Sequence, residues 1–231
     1  MVKNMKIGII GALDCEIEVF CRDFMASETN IKGVYKGEYH NHEVYISLVG
    51  VGKVNAAANT QRLIDLFGVD CVINSGVAGC VSRELGVCDV VISDTLTYHD
   101  FYPIDCLDKY SPYTSVFKAD EKLVALCENA CKKLAKTENG FKYGVGMVVT
   151  GDQFIEDSET VNRLREKYNA LCTEMEGAAV AHVCVLNGVP FVVIRAMSDN
   201  ADESADMSFN EMAAIAAKRA CFTAKEMIAN L

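Results

Sequence analysis

The chain has 231 residues, with 22 Lys and Arg against 32 Asp and Glu, a net charge of −10 and a pI of about 4.9. No basic cluster suits a nucleic acid, and the acidic balance disfavours an anionic membrane surface, so a small neutral or zwitterionic ligand is expected. The 11 cysteines are scattered without a C-x-x-C pair, which fits reduced thiols in a cytoplasmic protein and neither a disulfide framework nor a zinc cluster.

Met1 to Asn4 read as a short extension without the apolar core of a signal peptide, and no apolar run in the chain spans a bilayer. Lys6 to Gly11 reads as a β-branched strand. Leu13 to Phe24 follows with helical spacing that puts Ile17, Phe20 and Phe24 on one face. Val34 to His40 and Glu43 to Val49 alternate around an Asn-containing turn, as a hairpin does; His40 and His42 are expected to be solvated there. After Gly50-Val51-Gly52, Lys53 to Phe67 is a small-residue helix. Asp70 to Asn74 is a strand closed by a turn at Gly76-Val77-Ala78-Gly79, and Val87 to Ser93 is another strand. Thr97 to Phe117 reads as a long irregular loop, a type that often carries function. Then come a helix at Ala119 to Ala135, a strand at Tyr143 to Thr150, and a helix at Ser158 to Tyr168 capped by Ser158. An Ala-rich helix at Gly177 to Asn187, a strand at Phe191 to Ala196 and a last helix at Ser208 to Asn230 complete the chain. Alternating strands and helices imply an α/β fold with a mixed, mostly parallel central sheet. No linker, repeat or low-complexity tract divides residues 1–231, so one domain is expected.

Three acidic segments stand beside apolar stretches, where carboxylates are costly unless paired or used. Glu16 follows the first strand; as an acid in a first helical turn it complements the helix dipole. Glu174 and Glu176 flank Met175. They can cap the helix that follows, or grip vicinal sugar hydroxyls, because a carboxylate accepts several hydrogen bonds and donates none. Asp199, beside Ser198, is expected just past the end of its strand. It is either a cap or an acid facing a ring nitrogen. Arg195 reads as a charge partner inside the site. Phe154 is an aromatic placed to pack or to stack on a planar base. Gly8 and Gly11 do not complete a dinucleotide fingerprint, and Gly52-Lys53 lacks the upstream glycine of a phosphate loop.

Taken in order, these motifs resemble the 5′-methylthioadenosine/S-adenosylhomocysteine nucleosidases of the nucleoside phosphorylase superfamily. The anchors are Ile7-Gly8-Ile9-Ile10-Gly11-Ala12 with Glu16, Gly50-Val51-Gly52-Lys53, Asn74-Ser75-Gly76-Val77-Ala78-Gly79, and Tyr98-His99-Asp100. They continue with Ser115 to Asp120, Gly151-Asp152 with Phe154-Ile155, Glu174-Met175-Glu176, and Arg195 to Asp199 with Ser208-Phe209. The resemblance implies a three-layer αβα sandwich that cleaves the bond between adenine and a 5′-thio-substituted ribose with water. No metal or organic cofactor is implied, and the place in metabolism is methionine salvage. Glu16 would activate water, and Asp199, steadied by Ser198, would protonate adenine at N7. Glu176 would hold the ribose hydroxyls, with Glu174 in the same segment, Met175 beneath the sugar, and Val77 and Ala78 nearby. Phe154 would stack on adenine while the Ile155 backbone reads its edge, and Val51 and Phe209 would line the pocket. The resemblance also implies a homodimer.

Two departures stand out. Val77 occupies a position where the family often has Ser. Phe101-Tyr102-Pro103-Ile104-Asp105 replaces a D-x-D-V-T-like segment that helps a neighbouring subunit cover the 5′ group, which leaves the 5′ preference open. The rival readings are a purine nucleoside phosphorylase, a hydrolase of 6-amino-6-deoxyfutalosine, and a nucleoside-binding protein without turnover. Phosphorolysis needs a cationic phosphate site. Here the strand before the glycine run ends in Asn74, and a phosphate beside Glu16 would be repelled.

Overall fold

The computed structural model describes residues 4–137, 140–200 and 209–231. Most of the expected N-terminal extension, and Ser208, lie outside the described residues. The strands are β1 (Lys6–Gly11), β2 (Ser27–Glu28), β3 (Val34–Tyr39), β4 (His42–Leu48), β5 (Cys71–Cys80), β6 (Val90–Tyr98), β7 (Phe117–Lys118), β8 (Tyr143–Thr150), β9 (Cys172–Glu174) and β10 (Phe191–Asn200). The helices are α1 (Asp14–Asp23), α2 (Lys53–Phe67), α3 (Cys106–Lys109), α4 (Glu121–Thr137), α5 (Ser158–Tyr168), α6 (Gly177–Asn187) and α7 (Phe209–Ile228).

All ten strands join one mixed sheet. Its longest ladders, β5 with β10 and β6 with β8, are parallel. Side chains alternate across β1: Ile7 and Ile9 face one layer and Ile10 the other. The first layer holds α1, α4 and α7, the second α2 and α6, so both faces of the sheet are covered. α5 packs on β8 over a smaller cluster around Val149, Ile155 and Leu164. The Ala-rich α6 is buried over most of its surface, with Ala178 to Ala181 at most 2% exposed, as expected of a helix without a polar face.

One feature is absent from the local pattern. β5 bonds to β1, β9 and β10, while β10 also bonds to β6, so β5, β9, β8, β6 and β10 close a ring. The closure explains why two strands outrun their expected ends. The run Gly76-Val77-Ala78-Gly79 is no turn: β5 continues through it, paired with Arg195 to Asp199 of β10 and, at Gly79, with Thr173 of β9. β10 likewise continues through Asp199, with a bulge between Met197 and Asp199. Asp199 is therefore within its strand and not beyond it.

Other local expectations also give way to context. β6 extends to Tyr98, so the irregular segment is shorter than expected and contains α3. Asp157, not Ser158, caps α5, its Oδ1 accepting from the Thr160 N–H at 2.8 Å. The hairpin turn is His40-Asn41, both with positive φ. His40 is exposed, whereas His42 is 2% exposed and its Nδ1 accepts from the Met5 N–H at 3.3 Å. Among the described residues, no helix is long and apolar enough to cross a membrane. All 11 cysteines are free thiols.

Candidate active site

The ring leaves a cleft of about 180 Å³ where α1, β5, β9 and β10 meet. Glu16, Glu176 and Asp199, from three distant parts of the chain, all line it, as do Glu174, Arg195 and Ser198. Val51, Val77, Ala78, Phe154, Ile155 and Met175 also line it. The Phe209 backbone begins α7; its side chain lies outside those described.

Arg195 sits at the centre, 1% exposed, the largest fully buried side chain among the described residues. Its Nη1 donates to the Val77 carbonyl at 3.1 Å and lies 3.8 Å from Glu16 Oε1. Its Nη2 donates to Asn74 Oδ1 at 2.6 Å, to Glu174 Oε2, and to Glu176 Oε2 at 3.4 Å. Burial alone would weaken the guanidinium's hold on its proton. Glu174, Glu176 and Glu16 outweigh that and hold its pKa above the ordinary value. Gly76 makes this approach possible, because a Cβ there would fall onto Glu16 Oε1 and Arg195 Nη1.

The three glutamates are held differently. Glu16 loops back over the start of α1, where Oε2 accepts from the Ala12 and Leu13 N–H groups at 2.6 and 3.0 Å. Its Oε1 reaches across the sheet to the Val77 N–H at 2.8 Å. Glu16 is thus an acid in the first turn of α1, as expected, and the same side chain lines the cleft. Val77 contributes its backbone N–H here, so the missing Ser hydroxyl leaves this contact intact. Glu174 accepts from Thr150 Oγ1 and, through Oε2, from the Glu176 and Gly177 N–H groups at 3.0 and 2.7 Å. Both its oxygens are committed to protein donors, and it caps α6 while balancing Arg195. Glu176 is less committed: Oε1 accepts from the Gly52 N–H at 2.9 Å. Burial pushes its carboxyl up to about 7; Glu174 and Glu16 add to this, while Arg195 and the Gly52 N–H oppose it.

Asp199 accepts from Ser198 Oγ at 2.6 Å. Burial holds its carboxyl above the ordinary carboxylate value, against the lowering effect of that bond. The site thus holds its two acids differently: burial raises Asp199 above its ordinary value, while Glu16 accepts three backbone N–H groups. That pairing allows one group to protonate a leaving heterocycle while another accepts a proton from water. Phe154 is 58% exposed at the cleft mouth and Ile155 is 7% exposed beneath it. The sequence reading missed Asn74 and Thr150 as holders of Arg195 and Glu174, the Gly52 N–H as a donor to Glu176, and Thr173 and Gln153 in the lining. No local signal marks Asn74, Thr150 or Gly52, because each of their bonds joins separate segments of the chain.

The phosphorylase superfamily model matches residues 6–229. A 5′-methylthioadenosine/S-adenosylhomocysteine nucleosidase of Actinobacillus succinogenes is 39% identical, over 98% of this chain and 100% of its own. Among solved structures, the nucleosidase of Neisseria meningitidis in complex with methylthio-immucillin-A is 35% identical, with a TM-score of 0.88 over 98% of this chain and 100% of that one. A futalosine hydrolase of Helicobacter pylori is 34% identical, with a TM-score of 0.87 over 98% of each chain. The chain belongs to the phosphorylase superfamily and, within it, to the 5′-methylthioadenosine/S-adenosylhomocysteine nucleosidase family.

Proposed function

We propose that this chain hydrolyses the N-glycosidic bond of 5′-methylthioadenosine and S-adenosylhomocysteine, releasing adenine and the 5′-thioribose. The observation that carries the reading is the meeting of Glu16, Glu176 and Asp199 in one cleft. Breaking the bond builds positive charge on the sugar and negative charge on the base. Asp199, whose carboxyl burial shifts above its ordinary value and which Ser198 orients, delivers a proton to adenine N7. Glu16 takes a proton from the attacking water. Three backbone donors occupy three of its roughly four acceptor positions, which leaves one for that water. Glu176 binds the ribose hydroxyls, with Met175, Val77 and Ala78 around the sugar. Phe154 and Ile155 hold the base, Val51 lines the pocket, where the family resemblance alone also puts Phe209, and Glu174 and Arg195 position the acids.

Water, and not phosphate, is the nucleophile. Among the described residues lining the cleft, Arg195 is the one cation, and three carboxylates already surround it. Adenine should therefore be released from 5′-methylthioadenosine in phosphate-free buffer; strict dependence on added phosphate would sink the hydrolase reading. The same assay run on S-adenosylhomocysteine, 5′-deoxyadenosine and 6-amino-6-deoxyfutalosine ranks the substrates. The last is included because the similarity extends to a futalosine hydrolase. Glu16→Gln keeps the size of the side chain and loses the base. It should lower kcat by at least about 10²-fold, measured as adenine release at saturating substrate; near-normal turnover would remove Glu16 from the water-activating role.

We also read residues 1–231 as one domain, since its two large apolar clusters share a single sheet. The free thiols are in keeping with a cytoplasmic protein, and the homodimer is inferred from the family resemblance. Methionine salvage is the corresponding metabolic role.

A further inference from the structure

Gly52, the N-cap of α2, has a φ of +100° and donates its N–H to Glu176 Oε1. It is held there from behind. The Lys53 N–H donates to Asp152 Oδ1 at 2.9 Å. Lys53 Nζ donates to Asp100 Oδ1 at 2.6 Å and lies 3.5 Å from Asp152 Oδ2. Asp100 Oδ2 accepts from the Asp152 N–H at 2.8 Å. The Lys53 and Asp100 side chains are 22% and 19% exposed, sheltered enough for the pair to be more than a solvated surface contact. Gly151 allows the close fit, because a Cβ there would strike the His99 ring.

The three residues come from three places: the start of α2, just past the end of β6 and just past the end of β8. None lines the cleft. Their chain neighbours do, with Val51 on one side and Gln153, Phe154 and Ile155 on the other.

We propose that Lys53, Asp100 and Asp152 are positioning residues of this enzyme, an ionic latch that presents the Gly52 N–H to Glu176 and sets the Val51 wall against the Phe154–Ile155 wall. The inference rests on the nucleosidase reading of the cleft. Glu176 is faced by Arg195 from β10, Glu174 from β9, Glu16 from α1 and the Gly52 N–H. The Gly52 bond favours its ionised form, which is the form that accepts ribose hydroxyls. When the latch opens, Glu176 holds its proton to higher pH, so ribose binding is lost at a higher pH as acid is added. Asp100→Asn also removes a negative charge, which by Coulomb's law alone would move the limb the other way. In Asp100→Asn an alkaline shift therefore reads the lost hydrogen bond and not the lost charge, whereas in Lys53→Met both effects point the same way and KM is the deciding readout.

The test measures steady-state kinetics on 5′-methylthioadenosine across pH for the wild type, Asp100→Asn, Lys53→Met and Lys53→Arg. In Asp100→Asn and Lys53→Met, KM should rise about tenfold with kcat within about threefold, and the acid limb of kcat/KM should move up in pH. Lys53→Arg should keep KM within about threefold of wild type, because it restores the cation. Folded Asp100→Asn and Lys53→Met variants with unchanged KM and an unmoved limb overturn the latch, whatever happens to their melting temperature. A wild type that releases no adenine from any nucleoside overturns the functional reading, and the latch with it. Should the variants not fold, Asp152→Ala is measured in their place, because its side chain is 50% exposed and the change disturbs the fold least. Its KM should then rise several-fold, and a constant KM overturns the proposal.

Discussion

Asp199→Asn should lower kcat by at least about 10²-fold while the protein still folds and still binds its nucleoside. An Asn at this position can accept from Ser198 Oγ as Asp199 does, so the local geometry survives. The amide can donate a hydrogen bond to the base but cannot surrender a proton to it. The barrier then returns to that of expelling an unprotonated heterocycle. Burial holds the Asp199 carboxyl above its ordinary value, so in the wild type kcat/KM should fall on the alkaline side as this proton is lost. That limb should vanish in the variant. Adenine release across pH, with a thermal melt as the folding check, measures both. Turnover within tenfold of wild type, at about 1.4 kcal/mol or less of barrier, would assign the proton to another group.

Arg195→Met should destabilise the protein by about 3–5 kcal/mol, because it strands carboxylates in a buried site without their cation. The pair is not a surface one: the Arg195 side chain is 1% exposed and those of Glu16, Glu174 and Glu176 are 2%, 2% and 5% exposed. Methionine fills similar space, so lost packing contributes little. For a chain of this size the loss corresponds to a fall in Tm of roughly 6–20 °C. The effect should depend on pH. Glu176 already binds its proton up to about 7 in the folded protein, and without the guanidinium it binds it more tightly still. A raised folded pKa contributes stability below the unfolded value that is lost as pH rises through the folded value. The deficit should therefore be smaller at pH near 5, where Glu176 is protonated, than near 8. Urea unfolding at both pH values checks this, and a variant within about 1 kcal/mol of wild type at the higher pH would mean that the acids are neutralised by other means.

Much of the secondary structure was legible along the chain. Ile17 and Phe20 do share the buried face of α1, with Phe24, its C-cap, buried as well, and the Asn-containing turn does join β3 to β4. Periods of 2 and 3.6 are local properties, so they survive without knowledge of partners. The failures are as informative. Gly76 to Gly79 reads as a turn because glycine seldom favours a strand, yet pairing to β10 and β9 keeps it extended. His42 reads as a solvated turn residue, yet the sheet buries it.

The sequence by itself determined the α/β alternation and the residue types the chemistry needs, since Glu16, Glu176 and Asp199 stand out as acids in apolar company. The family resemblance implied a role for each acid; only the tertiary structure decided how each is held. Glu16 reaches the Val77 N–H, Glu174 is spent on Thr150 and the start of α6, and Glu176 waits on Gly52. A side chain's role depends on how many of its lone pairs are already taken and on what charge lies nearby. In this protein both are set by segments brought together when the sheet closes into a ring.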